Sequence, residues 1–177
     1  MDLLKSVNVF LLLALLLLCT GLKAHSQEIS VDPEKMVEAH NKWRSEVGVP
    51  PLKWSPELAE MTKEWANVLA QEGSKFRHSK RKGFGENLFY ASAKVWSDGR
   101  REIQEVAESE VVNSWAGEKK NYDYSDDSCS GVCGHYTQIV WENTKEVGCA
   151  SALSGDKSQV WVCNYHPPGN IYGKKPY

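Results

Sequence analysis

Cys133-Gly134-His135-Tyr136-Thr137-Gln138-Ile139-Val140-Trp141-Glu142-Asn143-Thr144 sets a histidine, hydroxyls, an amide and a carboxylate among large apolar side chains, behind a leading cysteine. A free-standing binding loop has no use for Ile139, Val140 and Trp141 in a row. An ordinary core element does not crowd His135, Thr137 and Gln138 together, because each buried polar group needs a partner. The segment therefore predicts a polar face beside a buried one, with partners supplied from elsewhere in the chain.

Downstream, residues 146–152 and 158–165 are short and rich in β-formers, and Ser154-Gly155-Asp156-Lys157 separates them. That pattern predicts a hairpin, followed by an extended tail from His166 to Tyr177. Immediately upstream, residues 126–133 form a polar loop. Before it, a third helix is expected to start at Asp98, with Ile103, Val106, Ala107, Val111 and Trp115 inward and Glu102, Glu105 and Glu108 on the wet side. Glu118 falls just past Trp115, where this helix runs out toward Asn121-Tyr122-Asp123-Tyr124.

Further upstream, Gly83-Phe84-Gly85-Glu86-Asn87-Leu88 lacks the third glycine and the Gly-Lys-Ser/Thr of a phosphate loop. Its Glu86 interrupts an apolar neighbourhood, so burial obliges it to find a donor or a cation. Lys75, Arg77, Lys80, Arg81 and Lys82 surround His78 in a solvated loop, and in a chain of acidic balance they make no case for nucleic acid. Two amphipathic helices precede this loop. Asp32-Pro33-Glu34 and Ser55-Pro56-Glu57 each read as N-cap, first-turn proline and first-turn acid. The first helix, about 32–47, carries His40 and Arg44 on one face, with His40 read as a core histidine. The second repeats Leu58, Met61, Trp65 and Val68 or Leu69 up to Gly73.

The chain opens with Lys5 and then an apolar run over residues 9–18, shorter than the ~20 residues a bilayer crossing needs. It is a secretory signal, with cleavage expected after Ser26. From 21 basic and 23 acidic residues, removal of Lys5, Lys23 and Asp2 leaves 19 and 22 in residues 27–177, a mildly acidic single domain expected to be monomeric, with no stable membrane insertion. Export also accounts for the cysteines. Cys19 leaves with the signal, and Cys129, Cys133, Cys149 and Cys163 make two disulfides in one of three pairings. A zinc-thiolate site is the weaker alternative, since only Cys129 and Cys133 stand close in sequence.

Helices followed by a hairpin sheet with a polar segment against it indicate an α+β sandwich. Four stretches carry a resemblance: His40-Asn41-x-x-Arg44, Gly85-Glu86-Asn87-Leu88, residues 134–141, and Cys163-Asn164-Tyr165-His166-Pro167-Pro168-Gly169-Asn170. They resemble the signatures of the CAP (SCP/TAPS) superfamily, and within it the plant type-1 pathogenesis-related proteins, over nearly the whole mature chain.

The resemblance implies a disulfide-stabilised three-layer α-β-α sandwich with a central antiparallel sheet. It also implies a cleft lined by His78, Glu86, Glu118 and His135. Where relatives carry a third bridge, this chain has Ser74 and Ser154, so the resemblance pairs Cys129 with Cys133 and Cys149 with Cys163. It further implies a defence protein of the extracellular space, the apoplast rather than the vacuole, that binds sterol or another lipid through Trp115, Tyr122 and Tyr124 and has antimicrobial action. A C-terminal peptide, 167–177, released after Cys163-Asn164-Tyr165-His166 is a further implication.

Two imidazoles and two carboxylates can brace segments, hold Zn2+ through His78 and His135, or exchange protons. Bracing is preferred, no cofactor is required, and no catalytic residue is assigned. The alternative, a metal-dependent or acid/base hydrolase, lacks a nucleophile motif.

Overall fold

The computed structural model describes residues 28–177, and the expected signal peptide, residues 1–26, lies outside them. In chain order come β1 (Glu28–Ile29), α1 (Pro33–Glu46), β2 (Lys53–Trp54), α2 (Pro56–Gln71), β3 (Gly85–Ala91), β4 (Lys94–Val95) and β5 (Arg101–Glu102). Then follow α3 (Glu108–Ala116), a 3-10 turn (Gly117–Asn121), β6 (Tyr122–Asp123), β7 (Ser128–Cys129), α4 (Gly134–Ile139), β8 (Glu146–Leu153) and β9 (Gln159–His166).

Both N-terminal helices start where their caps stand. The Asp32 carboxylate accepts from the amides of Glu34 and Lys35, and the Ser55 hydroxyl accepts from that of Leu58. Each satisfies donors that the first turn leaves unpaired, with a proline at the position where a missing N–H costs nothing.

The central sheet runs β1-β8-β9-β3, with β2 added beside β8. Its three long strands pair antiparallel as expected, and the two-residue β2 lies parallel to β8, so the sheet is mixed. Alternation along the strands divides the core. Val147, Trp161 and Tyr165 face the layer of α1, α3 and α4. Ala150, Ala152, Val160 and Val162 face α2 across Ala66 and Leu69. Neighbours on a strand point to opposite faces, which turns one sheet into the middle of a three-layer sandwich. At Gly148 the sheet meets α2 so closely that a Cβ would lie 2.3 Å from the Ala59 nitrogen.

The disulfides are Cys129–Cys133 and Cys149–Cys163, the pairing the resemblance implies. Cys149 and Cys163 are direct cross-strand partners of β8 and β9.

One expected element is different. Asp98 does not start a helix: it sits in the turn of the β4–β5 hairpin, where Gly99 has φ 83° and the Asp98 carboxylate takes the Arg100 amide. Asp-Gly favours a reversal that a helix start cannot use. The helix begins ten residues later, at Glu108. Of the proposed inner face Val111 and Trp115 are buried, whereas Ile103 and Ala107 are exposed. Glu108, expected to be wet, is buried and accepts from the Asp32 amide at 2.8 Å, tying the start of α3 to the cap of α1.

Candidate functional site

The polar groups of the 133–144 segment find the partners that burial demands. Within α4 the Thr137 hydroxyl donates to Asn170 Oδ1 at 2.7 Å. Gln138 accepts from the Gly169 amide at 2.9 Å and donates to the Thr144 hydroxyl at 3.2 Å. The apolar residues Tyr136, Ile139, Val140 and Trp141 fill the core beside them.

His135, second residue of α4, is held by Glu118 from the 3-10 turn. One carboxylate oxygen takes the His135 amide at 2.9 Å and the other takes its Nδ1 at 2.6 Å. Trp115 is 2% exposed, donates its indole N–H to the Leu88 carbonyl and stacks on the His135 ring at 6.3 Å. It is a core residue that backs the histidine.

His78, on the loop after α2, donates Nδ1 to Glu86 Oε1 at 2.8 Å, and the Ser79 amide joins the same oxygen at 2.9 Å. The Glu86 side chain is 8% exposed against 58% for His78, so the donor that burial required is this imidazole. Burial pushes the Glu86 carboxyl up, but the bonds from His78 and Ser79 outweigh it and hold it below its ordinary 4.5. The Glu86 carboxylate raises His78 above 6.5 against partial burial. Glu86 thus contributes stability present above pH 4.5 and lost as pH falls through its lowered value. His78 contributes stability that is full below pH 6.5 and lost as pH rises through its raised one. The pair is strongest between.

The four residues therefore form two His–Glu pairs. Glu86 stands opposite Asn164, whose amide donates to Thr62 on α2. Its neighbour Asn87 points to the other face and donates to the His135 carbonyl at 3.1 Å. By strand alternation the pairs are anchored to opposite faces of β3. Among the described residues no three His, Cys, Asp or Glu side chains come together to hold a metal ion. Each imidazole has its Nδ1 on a carboxylate, the arrangement in which a metal-ligating histidine offers its other nitrogen.

A buried relay supports the His135 pair. Asn87 also donates to the Tyr165 hydroxyl at 3.2 Å, and Tyr165 meets His40 Nε2 at 2.9 Å. His40 Nδ1 lies 2.7 Å from the Met36 carbonyl, which can only accept, so Nδ1 carries the proton and Nε2 takes the tyrosine's. Burial pushes His40 down to about 4 and the Tyr165 phenol far above its ordinary range. The unfolded chain binds a proton at His40 below pH 6.5 that the fold refuses, so stability rests above 6.5 and falls between there and about 4. Urea denaturation is expected to lose on the order of 3 kcal/mol across that interval from this group. His40→Gln should flatten that slope, and parallel losses in both proteins would refute the assignment.

Sequence spacing paired His40 with Arg44 but did not reveal what Arg44 does. Its guanidinium, wholly buried, donates to the carbonyls of Pro50, Ile139, Trp141, Glu142 and Thr144 at 2.7–3.5 Å. It holds the end of α4 and the turn beyond it, and its bonds among the described residues all go to backbone carbonyls.

Of the aromatic candidates, Tyr122 is half-buried and donates to Asp127, and Tyr124 is 43% exposed.

The cysteine-rich secretory protein family, CAP, matches residues 37–165. The chain belongs to the CAP family. Among CAP relatives, Pathogenesis-related protein 1 of Arabidopsis thaliana is 43% identical over 141 residues, 80% of each chain. Pathogenesis-related protein 1C of Nicotiana tabacum is 34% identical over 175 residues, 98% of this chain and 96% of the relative. In solved structures, the Schistosoma mansoni venom allergen-like protein 4 has the same fold, with a TM-score of 0.60, 27% identity and coverage of 84% of this chain and 95% of that one. The CAP match spans all four candidate residues, His78, Glu86, Glu118 and His135.

Proposed function

We propose that this CAP chain is a secreted plant defence protein of the pathogenesis-related type, acting in the extracellular space on sterol or another lipid rather than by catalysis. What carries the proposal is likeness over most of the chain to relatives that bear the pathogenesis-related name. Supporting it, Tyr124 is exposed and Tyr122 is half-buried at the edge of the core beside it, and amphipathic rings of this kind serve at lipid interfaces. Trp115, buried behind His135, is not part of that surface. Among the described residues no helix is long and apolar enough to cross a membrane.

A hydrolase is favoured by no observation. Cys129, Cys133, Cys149 and Cys163 are consumed in disulfides and offer no thiol nucleophile.

A radiolabelled-sterol assay on residues 27–177 tests the lipid role. Tyr122→Ala Tyr124→Ala protein is expected to bind roughly tenfold more weakly, and unchanged affinity would exclude this loop. For Zn2+ we propose weak capture through Nε2 of His78 and of His135, each within its own pair. Calorimetric titration should give weak heats that disappear in His78→Ala His135→Ala protein, and a single tight site would overturn that picture. Release of residues 167–177 predicts a fragment beginning at Pro167 in the extracellular fluid of stressed tissue, and mass spectrometry that finds none counts against processing.

A further inference from the structure

The chain after β9 does not end as a simple extended tail. Its first part is fastened to α4 and the turn beyond it: the Thr144 hydroxyl donates to the Pro167 carbonyl, and Asn170 bonds both Thr137 and the Gly134 carbonyl. At Gly169 a Cβ would lie 2.8 Å from the Trp141 ring, so only glycine lets the strap lie this close. The middle, residues 171–174, turns outward, with Tyr172 fully exposed.

The last three residues then come back. Lys175 Nζ donates to the carbonyls of Tyr124 and Ser125 at 2.6 and 3.2 Å and stands 4.4 Å over the Tyr124 ring. The buried Pro176 accepts the Glu142 amide through its carbonyl at 2.7 Å. Tyr177 stacks on Tyr124 with centroids 4.6 Å apart and planes 10° apart, and the Tyr124 hydroxyl donates to the Tyr177 carbonyl. Between this returning strap and the loop around Tyr122 and Val132 lies a cavity of about 670 Å³, walled on the tail side by Ile171 and Pro176 and reaching Trp141.

We propose that Lys175-Pro176-Tyr177 is a latch over the aromatic loop. While docked, it covers one face of Tyr124 and closes one wall of the cavity; lipid engages Tyr122 and Tyr124 only when these three residues let go. This rests on the lipid role proposed above and adds its regulation. The latch and the lipid compete for the same ring face, so each shifts the population of the other's bound state. An exposed loop, residues 171–174, precedes these contacts, so the last three residues open locally, Tyr177 giving up its packing at the edge of the core and its contact with the Tyr136 hydroxyl.

The test compares residues 27–177 with the chain ending at Lys174, and with full-length Tyr177→Gly in case truncation alters folding. Hydrogen exchange at the Glu142 amide reports the latch directly, because its acceptor is Pro176. Cosedimentation with phosphatidylcholine vesicles containing sterol reports the lipid surface. Expected are roughly tenfold faster exchange at Glu142 and roughly fivefold more protein on the vesicles for both altered chains, the second gain disappearing when Tyr124→Ala is added. Unchanged exchange at Glu142 overturns the latch. Faster exchange with vesicle binding equal to that of the full chain overturns the gating and leaves the lipid role standing. Faster exchange with no vesicle binding by any chain overturns the lipid role and the gating with it.

Discussion

Replacement of Arg44 by alanine is expected to destabilise the domain by about 4 kcal/mol or more. The guanidinium is fully buried and its acceptors are all backbone carbonyls, four of them between Ile139 and Thr144. Ile139 is the last residue of α4, so the cation also sits at the negative end of that short helix. Burial lowers Arg44 to about 10, which leaves it charged at neutral pH. Alanine removes the donors and a large side chain together, leaving carbonyls that neither water nor protein satisfies. Arg44→Lys should recover only part of the loss, because one ammonium cannot reproduce a planar fork that reaches acceptors in several directions. Urea denaturation measures both. An alanine variant within about 1 kcal/mol of the parent would show that the carbonyls find other donors.

That dependence explains which parts of the molecule could be read from the chain alone. Caps at Asp32 and Ser55, prolines behind them and the hairpin turn before β9 are local signals, and the structure places those elements close to where they were expected. The polar face of 133–144 was legible as a requirement for partners, because burial without them is unfavourable. Its partners were not: Gly169 and Asn170 lie 31 and 33 residues away from Gln138 and Thr137. Arg44 meets carbonyls as many as 100 residues downstream. Helical spacing misled at Asp98 since Ile103, Val106 and Ala107 fit a 3.6-residue period, yet Asp98-Gly99 closes a hairpin and the helix waits for Glu108. The candidate quartet was nameable through family likeness, but its division into two pairs follows from Glu86 and Asn87 pointing to opposite faces of β3, a consequence of register.

The other large effect is a gain. Ser74 and Ser154 occupy the positions at which the family likeness implies a bridge in relatives, and here their hydroxyl oxygens are 2.5 Å apart, with Ser158 Oγ 3.1 Å from Ser74. Ser154 and Ser158 are buried, and Asp156 accepts from both the amide and the hydroxyl of Ser158. A small hydroxyl cluster thus joins the end of α2 to the β8–β9 turn where a covalent link would fit. Ser74→Cys Ser154→Cys protein, expressed by an oxidising secretory route, is expected to form that link. It would join positions 80 residues apart, which in the chain-entropy model stabilises by about 4 kcal/mol through the unfolded state. For a domain of this size the melting temperature should rise by roughly 10 °C. The single Ser74→Cys variant supplies the control, since it disturbs the hydroxyl cluster without closing a loop. Peptide mapping that joins residues 74 and 154 while the melting temperature stays at the parent's value would mean that the hydroxyl cluster already restrains this corner as well as a bridge does, or that the bridge strains it. A rise confined to the oxidised double variant, lost on reduction, would establish that hydroxyls hold the two segments in register but leave the unfolded chain free.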